Sequence, residues 1–265
     1  MKNPEEILKQ ATLLEREAHQ LRAEQKTQEA FNSFDAAASL YVQAGEHLKA
    51  AYCYTSAATC WNIRTGWQPL RNAATRSDLA AHEALKAGHY QYAKERFLEA
   101  SLLYEKEGDF GHYSACFYGS HQTDSKIQWE LFMRGRRNKQ DLEQKADLKE
   151  RFLAFGRWVV NQINRLLWGY GERPFRTFWA ATAIIVTSAL AYTLSGQIQT
   201  QEGIRPISFF DGLYMSLITY TTVGFGDYLP LGWTRLFATL EALLGIFLAP
   251  LFLIGLTRRY LRMYR

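Results

Sequence analysis

Two stretches of this chain fix most of what it can fold into. From Thr177 to Gln201 no residue carries a charge, and Phe178 to Leu194 is mostly apolar. From Leu236 to Leu256 the one charged residue is Glu241. Each stretch has the ~20 residues a helix needs to cross a ~30 Å hydrocarbon core. Mean hydropathy, at −0.26, conceals them because most of the chain lies elsewhere. Arg151, Arg157, Arg165, Arg173 and Arg176 precede the first stretch, and Arg258, Arg259, Arg262 and Arg265 follow the second. The connecting segment holds only Arg205 and Arg235. Arginines gather on the cytoplasmic side, so both termini are expected there, in a multi-pass protein of the cell (plasma or inner) membrane. The net charge of +5 then has a membrane explanation, and no nucleic-acid partner is expected.

The segment between the two spans has its own pattern. Ser208 to Thr221 reads as a short helix, opened by Pro206 and by Ser208 with Asp211 three residues on, a capping-box spacing. A dozen residues rise only ~18 Å, too little to cross, so the helix is expected to be re-entrant. Its C-terminal end carries the negative end of the helix dipole, which favours a cation. Thr222-Val223-Gly224-Phe225-Gly226-Asp227 follows. Gly224 and Gly226 stand at alternate positions, where backbone angles closed to other residues become available, while Val223 and Phe225 would brace the loop from behind.

This hexapeptide resembles the selectivity filter of potassium channels, with phenylalanine where many members have tyrosine. The order helix, re-entrant helix, filter, helix resembles two-transmembrane potassium channels over roughly residues 170–260. The resemblance implies a homotetramer in which carbonyls of Thr222, Val223, Gly224 and Phe225, with the Thr222 hydroxyl at the inner end, replace the water shell of K+. Gly226 belongs to the same ion-binding stretch. Potassium is the permeating ion, and no cofactor is expected. Asp227 and Glu241 are candidate filter supports. A carboxylate in a spanning helix costs at least ~2.5 kcal/mol unless it faces protein or water. In the family an acidic residue often stands behind the filter within the re-entrant helix, a position that here is Ile218. Glu241 is expected to substitute as a brace bonded to Thr219 or Tyr220, the alternative being a partner for Arg235. Gly245 lies where relatives carry a flexible glycine, and Pro250 removes a helical hydrogen bond, so both are candidate gating hinges.

Residues 1–130 read as a cytoplasmic helical domain with internal repetition. Ala30/Phe34/Ala37, Ala50/Tyr54/Ala57 and Ala93/Phe97/Ala100 share one spacing, followed more loosely by Tyr113/Phe117/Ser120. Phe34, Leu40, Tyr41, Gly45 and Cys53 recur at one fixed offset as Phe97, Leu103, Tyr104, Gly108 and Cys116. Small residues at helical spacing let helices approach, with the aromatic filling the gap. Gly45, Gly88 and Gly108 are expected helix stops. The pattern resembles tetratricopeptide-like helical hairpins, although its spacing departs from a clean 34-residue period. The first helix, with Ile7, Ala11, Leu14, Ala18 and Leu21, is expected to pack within this array. A protein or small-molecule regulator is expected on the repeats.

Residues 131–175 are expected to form a linker and an interfacial helix. Arg134 to Glu150 is almost wholly polar, and Arg136-Arg137 are placed to touch anionic headgroups. Phe152, Phe155, Val159, Ile163 and Leu166 then make an apolar stripe with Arg157, Asn161 and Arg165 elsewhere, as on a helix lying on the inner leaflet. A final repeat helix is the alternative. Gly169-Tyr170-Gly171 is expected to be a bend into Arg173-Pro174. Residues 176–265 complete an all-α chain as the pore domain.

Residues 1–30 are charged and lack the apolar core of a cleavable signal. Cys53, Cys60 and Cys116 show no ligand spacing and are expected to be buried packing residues. The histidines His19, His47, His82, His89, His112 and His121 are scattered. No Walker loop, dinucleotide fingerprint or nucleophile elbow is present, so no enzymatic activity is expected. The alternatives to a potassium-selective channel are a weakly selective monovalent cation channel and a membrane-tethered scaffold with a vestigial pore.

Overall fold

The computed structural model describes residues 4–62, 67–135 and 146–263. Arg136, Arg137 and Arg265 lie outside the described residues, as do the side chains of Arg259 and Arg262. The fold is all-α, with ten helices among the described residues and one very small sheet. It divides into two compact units, Met1–Gln162 and Ile163–Tyr264.

The first unit holds α1 (Pro4–Ala23), α2 (Thr27–Gln43), α3 (His47–Asn62), α4 (Trp67–Ala87), α5 (Tyr90–Glu107) and α6 (Phe110–Arg134). Each packs against the next along the chain. Gly45, Gly88 and Gly108 all have positive φ and end α2, α4 and α5, a conformation that spares glycine the Cβ penalty. Ala30, Ala37, Ala50, Ala57, Ala93 and Ala100 have no exposed surface, and Phe34 and Phe97 fill the spaces they leave. Burying one such aromatic contributes about 1.5–3 kcal/mol, and the alanines supply the closeness that makes the burial complete.

The repetition is wider than the block visible in the sequence. His19 meets Phe34 edge-on at 5.0 Å, and His82 meets Phe97 edge-on at 5.0 Å. Thr12 lies 3.2 Å from the Tyr41 hydroxyl, and the Tyr104 hydroxyl donates to Thr75 at 3.3 Å. Glu15 stands beside Cys53 as Asp78 stands beside Cys116. The equivalent units are therefore three helices each, α1–α3 and α4–α6, related by the same offset throughout. All three cysteines are buried and free. Burial, with the Glu15 carboxylate adding to it, pushes the Cys53 thiol up to about 12. Burial and Asp78 push Cys116 up as well.

A seventh helix, α7 (Leu148–Leu167), divides the stripe expected to face the leaflet. Phe155 packs on Phe132 and Trp158 on Trp129, each with ring centroids 4.8 Å apart. Asn161 donates to Asp124, Gln162 donates to Ser125, and Arg151 donates to the Phe132 carbonyl. Phe152, Val160, Ile163 and Leu166 remain exposed. One side of α7 is thus docked on α6, and another stays apolar and uncovered.

In the second unit Gly169–Gly171 forms a 3-10 turn in which all three residues have positive φ. The bend is locked by the helix that follows it, α8 (Pro174–Ser195). Thr177 donates to the Leu167 carbonyl at 2.9 Å and Arg176 to the Arg165 carbonyl at 2.7 Å, satisfying carbonyls that the end of α7 leaves open. A short helix, α9 (Phe209–Tyr220), and a long helix, α10 (Thr234–Met263), complete the unit. Only 22% of the apolar window of α8 and 17% of that of α10 is buried, the reverse of a soluble core helix. Both are candidate membrane-spanning helices, long and apolar enough to cross a bilayer.

The sequence reading contained no strand. β1 (Ile198–Thr200) pairs antiparallel with β2 (Gly203–Arg205) and with β3 (Leu229–Pro230), giving the order β2-β1-β3. Ile198 faces both Arg205 and Pro230 in register and is fully buried.

Candidate ion path and its supports

The re-entrant helix begins where the capping box puts it. The Ser208 hydroxyl accepts from the Asp211 amide at 3.2 Å, and the Asp211 carboxylate accepts from the Ser208 amide at 3.2 Å. At twelve residues α9 is too short to span. Its last turn feeds directly into Thr222–Gly226. There the backbone alternates: Thr222, Gly224 and Gly226 have φ of 59°, 53° and 80°, while Val223 and Phe225 do not enter the left-handed region. Glycine takes those angles without strain, whereas Thr222 does so against the usual preference of a β-branched residue. The amides point back into the helix end, with Val223 donating to Ile218 at 2.9 Å, Gly224 to Ile218 at 3.2 Å and Thr222 to Thr219 at 3.0 Å. No donor among the described residues reaches the carbonyls of Thr222, Val223, Gly224 or Phe225. Val223 and Phe225 are exposed in the single chain.

Asp227, just beyond, lies within electrostatic reach of Tyr214 on α9, and one of its carboxylate oxygens is buried without a partner. The Tyr228 ring meets that of Tyr214 on α9, with centroids 5.9 Å apart. The segment that follows residues 222–226 is therefore packed on the helix that precedes them.

Glu241 is almost fully buried, at 1% exposure. It accepts from the Tyr192 hydroxyl of α8 at 2.6 Å and from the Ser216 hydroxyl of α9, and buried Ser188 lines the same cavity beside it. Three elements thus meet on one side chain. The expected partners, Thr219 and Tyr220, are not the ones used: Ser216, one turn earlier on α9, faces α10 instead. Arg235 donates to the Pro230 carbonyl at 3.2 Å, away from Glu241. A cavity of about 190 Å³ between α8 and α10 borders the carboxylate, lined by Ile184, Thr187, Phe237 and Leu240 among others.

Gly245 packs where no larger residue fits. A Cβ there would overlap the Tyr220 carbonyl oxygen and stand 2.9 Å from its carbonyl carbon. Gly212 does the same on the other side of α9, where a Cβ would come 2.7 Å from the Ala189 carbonyl oxygen. Pro250 lies inside α10. Tyr192, Ser188, Ser216 and Gly212 were not singled out by sequence reasoning. Their one signal is small or hydroxyl-bearing residues inside otherwise apolar helices, where an unpaired polar group is costly. Among the described residues no three His, Cys, Asp or Glu side chains gather as a metal site.

No curated protein and no solved structure matches the chain. Residues 177–262 do match a family model, Ion_trans_2, whose description is ion channel, and the match takes in both spans, the re-entrant helix and the candidate ion path.

Proposed function

We propose that the protein is a potassium-selective channel, passive and homotetrameric, with one loop of each chain contributing to a shared filter. The observation that carries this reading is the alternating backbone of Thr222, Gly224 and Gly226 at the end of a re-entrant helix. Alternation turns successive carbonyls to a common side, and those carbonyls have no donor within the chain. Four such loops around one axis make rings of oxygens that replace the hydration of K+. The ion-channel match over the same residues supports the class of activity.

The arginine distribution supports cytoplasmic termini. The helical domain of residues 1–130 acts as a regulatory input, passing through α7, whose uncovered apolar stripe suits the inner leaflet. Potassium flux into liposomes containing the purified chain tests the proposal. Gly224→Ala adds a methyl to each of four chains and closes the backbone angle, so conduction is lost while assembly is retained. Wild-type flux in this variant would remove the filter assignment.

A further inference from the structure

We infer that α10 sets the position of the filter, with Gly245 serving as a seat for the end of the re-entrant helix rather than as a free swivel. The inference rests on reading residues 222–226 as the ion path. Glu241 and Gly245 are four residues apart on α10, and the groups they meet, Ser216 and Tyr220, are four residues apart on α9. Two successive turns of one helix are therefore matched to two successive turns of the other.

The upper match is a hydrogen bond to a buried carboxylate. At the lower one a backbone carbonyl sits against the bare Cα of a glycine, close enough that any side chain at Gly245 would overlap it. Tyr220 ends α9, and its carbonyl receives no hydrogen bond from any donor among the described residues. A Cα–H facing it supplies a weak contact that a bulkier residue would displace. Thr222, whose φ is 59°, begins the filter two residues later.

This arrangement divides α10 by task. Glu241 and Gly245 lie on the part fastened to α9. Pro250 lies beyond that contact, and its missing amide leaves the Ile246 carbonyl without its helical donor. Bending then belongs to the turn around Pro250, and the part bearing Gly245 stays fixed with the filter. Because the group opposite Gly245 is backbone, it cannot rotate aside to admit a methyl. Alanine there displaces Tyr220, and with it the first ring of oxygens.

The test compares three full-length proteins in liposomes, wild type, Gly245→Ala and Pro250→Ala, reading the ratio of potassium to sodium flux and the single-channel open probability. A wild type without potassium preference would count against the proposed function itself, independently of the variants. With a selective wild type, the seat reading expects Gly245→Ala to lower the flux ratio by at least about tenfold while Pro250→Ala changes open probability and keeps the ratio. A swivel at Gly245 expects both variants to change open probability with the ratio intact, and that result overturns the inference. If Gly245→Ala fails to assemble, Ser216→Ala is read in its place, since it loosens the upper match without adding volume. A reduced flux ratio in Ser216→Ala upholds the positioning role of α10, and an unchanged ratio overturns it.

Discussion

Replacing Glu241 tests how the buried carboxylate contributes, and the structure allows the terms to be set against each other. Leucine at this position removes the acceptor shared by Ser216 and Tyr192. Ser216 keeps an alternative, because the Ile185 carbonyl is already 2.9 Å from its hydroxyl. Tyr192 is fully buried and has no second acceptor among the described residues. The loss therefore falls mainly on Tyr192, and a buried hydroxyl left unpaired costs about 1–3 kcal/mol. Against this, replacing a carboxylate buried inside the protein by an apolar side chain returns about 1–4 kcal/mol of desolvation cost. The two nearly cancel, so Glu241→Leu should barely alter thermal dissociation of the assembled protein in detergent. What it loses is the link that locates α9, and potassium flux should fall severalfold. Glu241→Gln keeps a carbonyl for Tyr192, and its amide can donate to the Ser216 oxygen while that hydroxyl donates to Ile185, so the link to α9 survives and flux should stay close to wild type. Adding Tyr192→Phe to Glu241→Leu removes the stranded hydroxyl and should recover about 1–3 kcal/mol of stability without restoring flux. Wild-type flux from Glu241→Leu, or strict additivity with Tyr192→Phe, would refute the reasoning.

Removal of residues 1–130 should leave a tetrameric, potassium-selective pore with altered open probability, because the spans and α9 carry their own packing. A monomer on sizing the truncated protein in detergent would show that the helical domain assembles the pore instead. With its pKa pushed up to about 12, the Cys53 thiol is ionised at pH 8 to roughly one part in ten thousand, against about a quarter for an ordinary cysteine. Alkylation of Cys53 in the native protein should be at least about a thousandfold slower than after denaturation, and mass spectrometry of labelled peptides reads it. Fast native labelling would show that α3 opens readily.

The two long apolar helices were legible because a bilayer imposes length and polarity on consecutive residues, and α8 and α10 meet both requirements. The re-entrant helix was legible through Ser208 and Asp211, whose spacing satisfies end groups by local bonds alone. Partners separated far along the chain were not. Ser216 and Tyr192 are a hydroxyl in an apolar run and an aromatic near a helix end, and neither announces that Glu241 will face it. Thr219 and Tyr220 were expected because they adjoin the filter, but helical phase turns Ser216 toward α10. The duplication was half visible, since Phe34 and Phe97 share a recognisable block. In α1 and α4 the matching residues are scattered among charged ones, and His19 and His82 gain meaning only when each is seen against its phenylalanine. The short strands carry too few residues for any alternation to register.

The small sheet bears on how the proposed filter can hold its shape. Pairing Ile198 with Pro230 closes a loop that contains the whole of α9 and the ion path. Closing a loop of that length costs conformational entropy that grows only slowly with the number of residues inside it. Once β1 and β3 are joined, the ordering of Thr222–Gly226 begins from a chain whose two ends are already fixed. The filter then resembles a short strut within a tied ring rather than a strand hung between two distant helices. Fewer states are left to lose when an ion enters, so less of the binding free energy is consumed in ordering the protein. On the proposed function, residues as remote from the ion path as Ile198 thereby lower the entropic cost of ion capture.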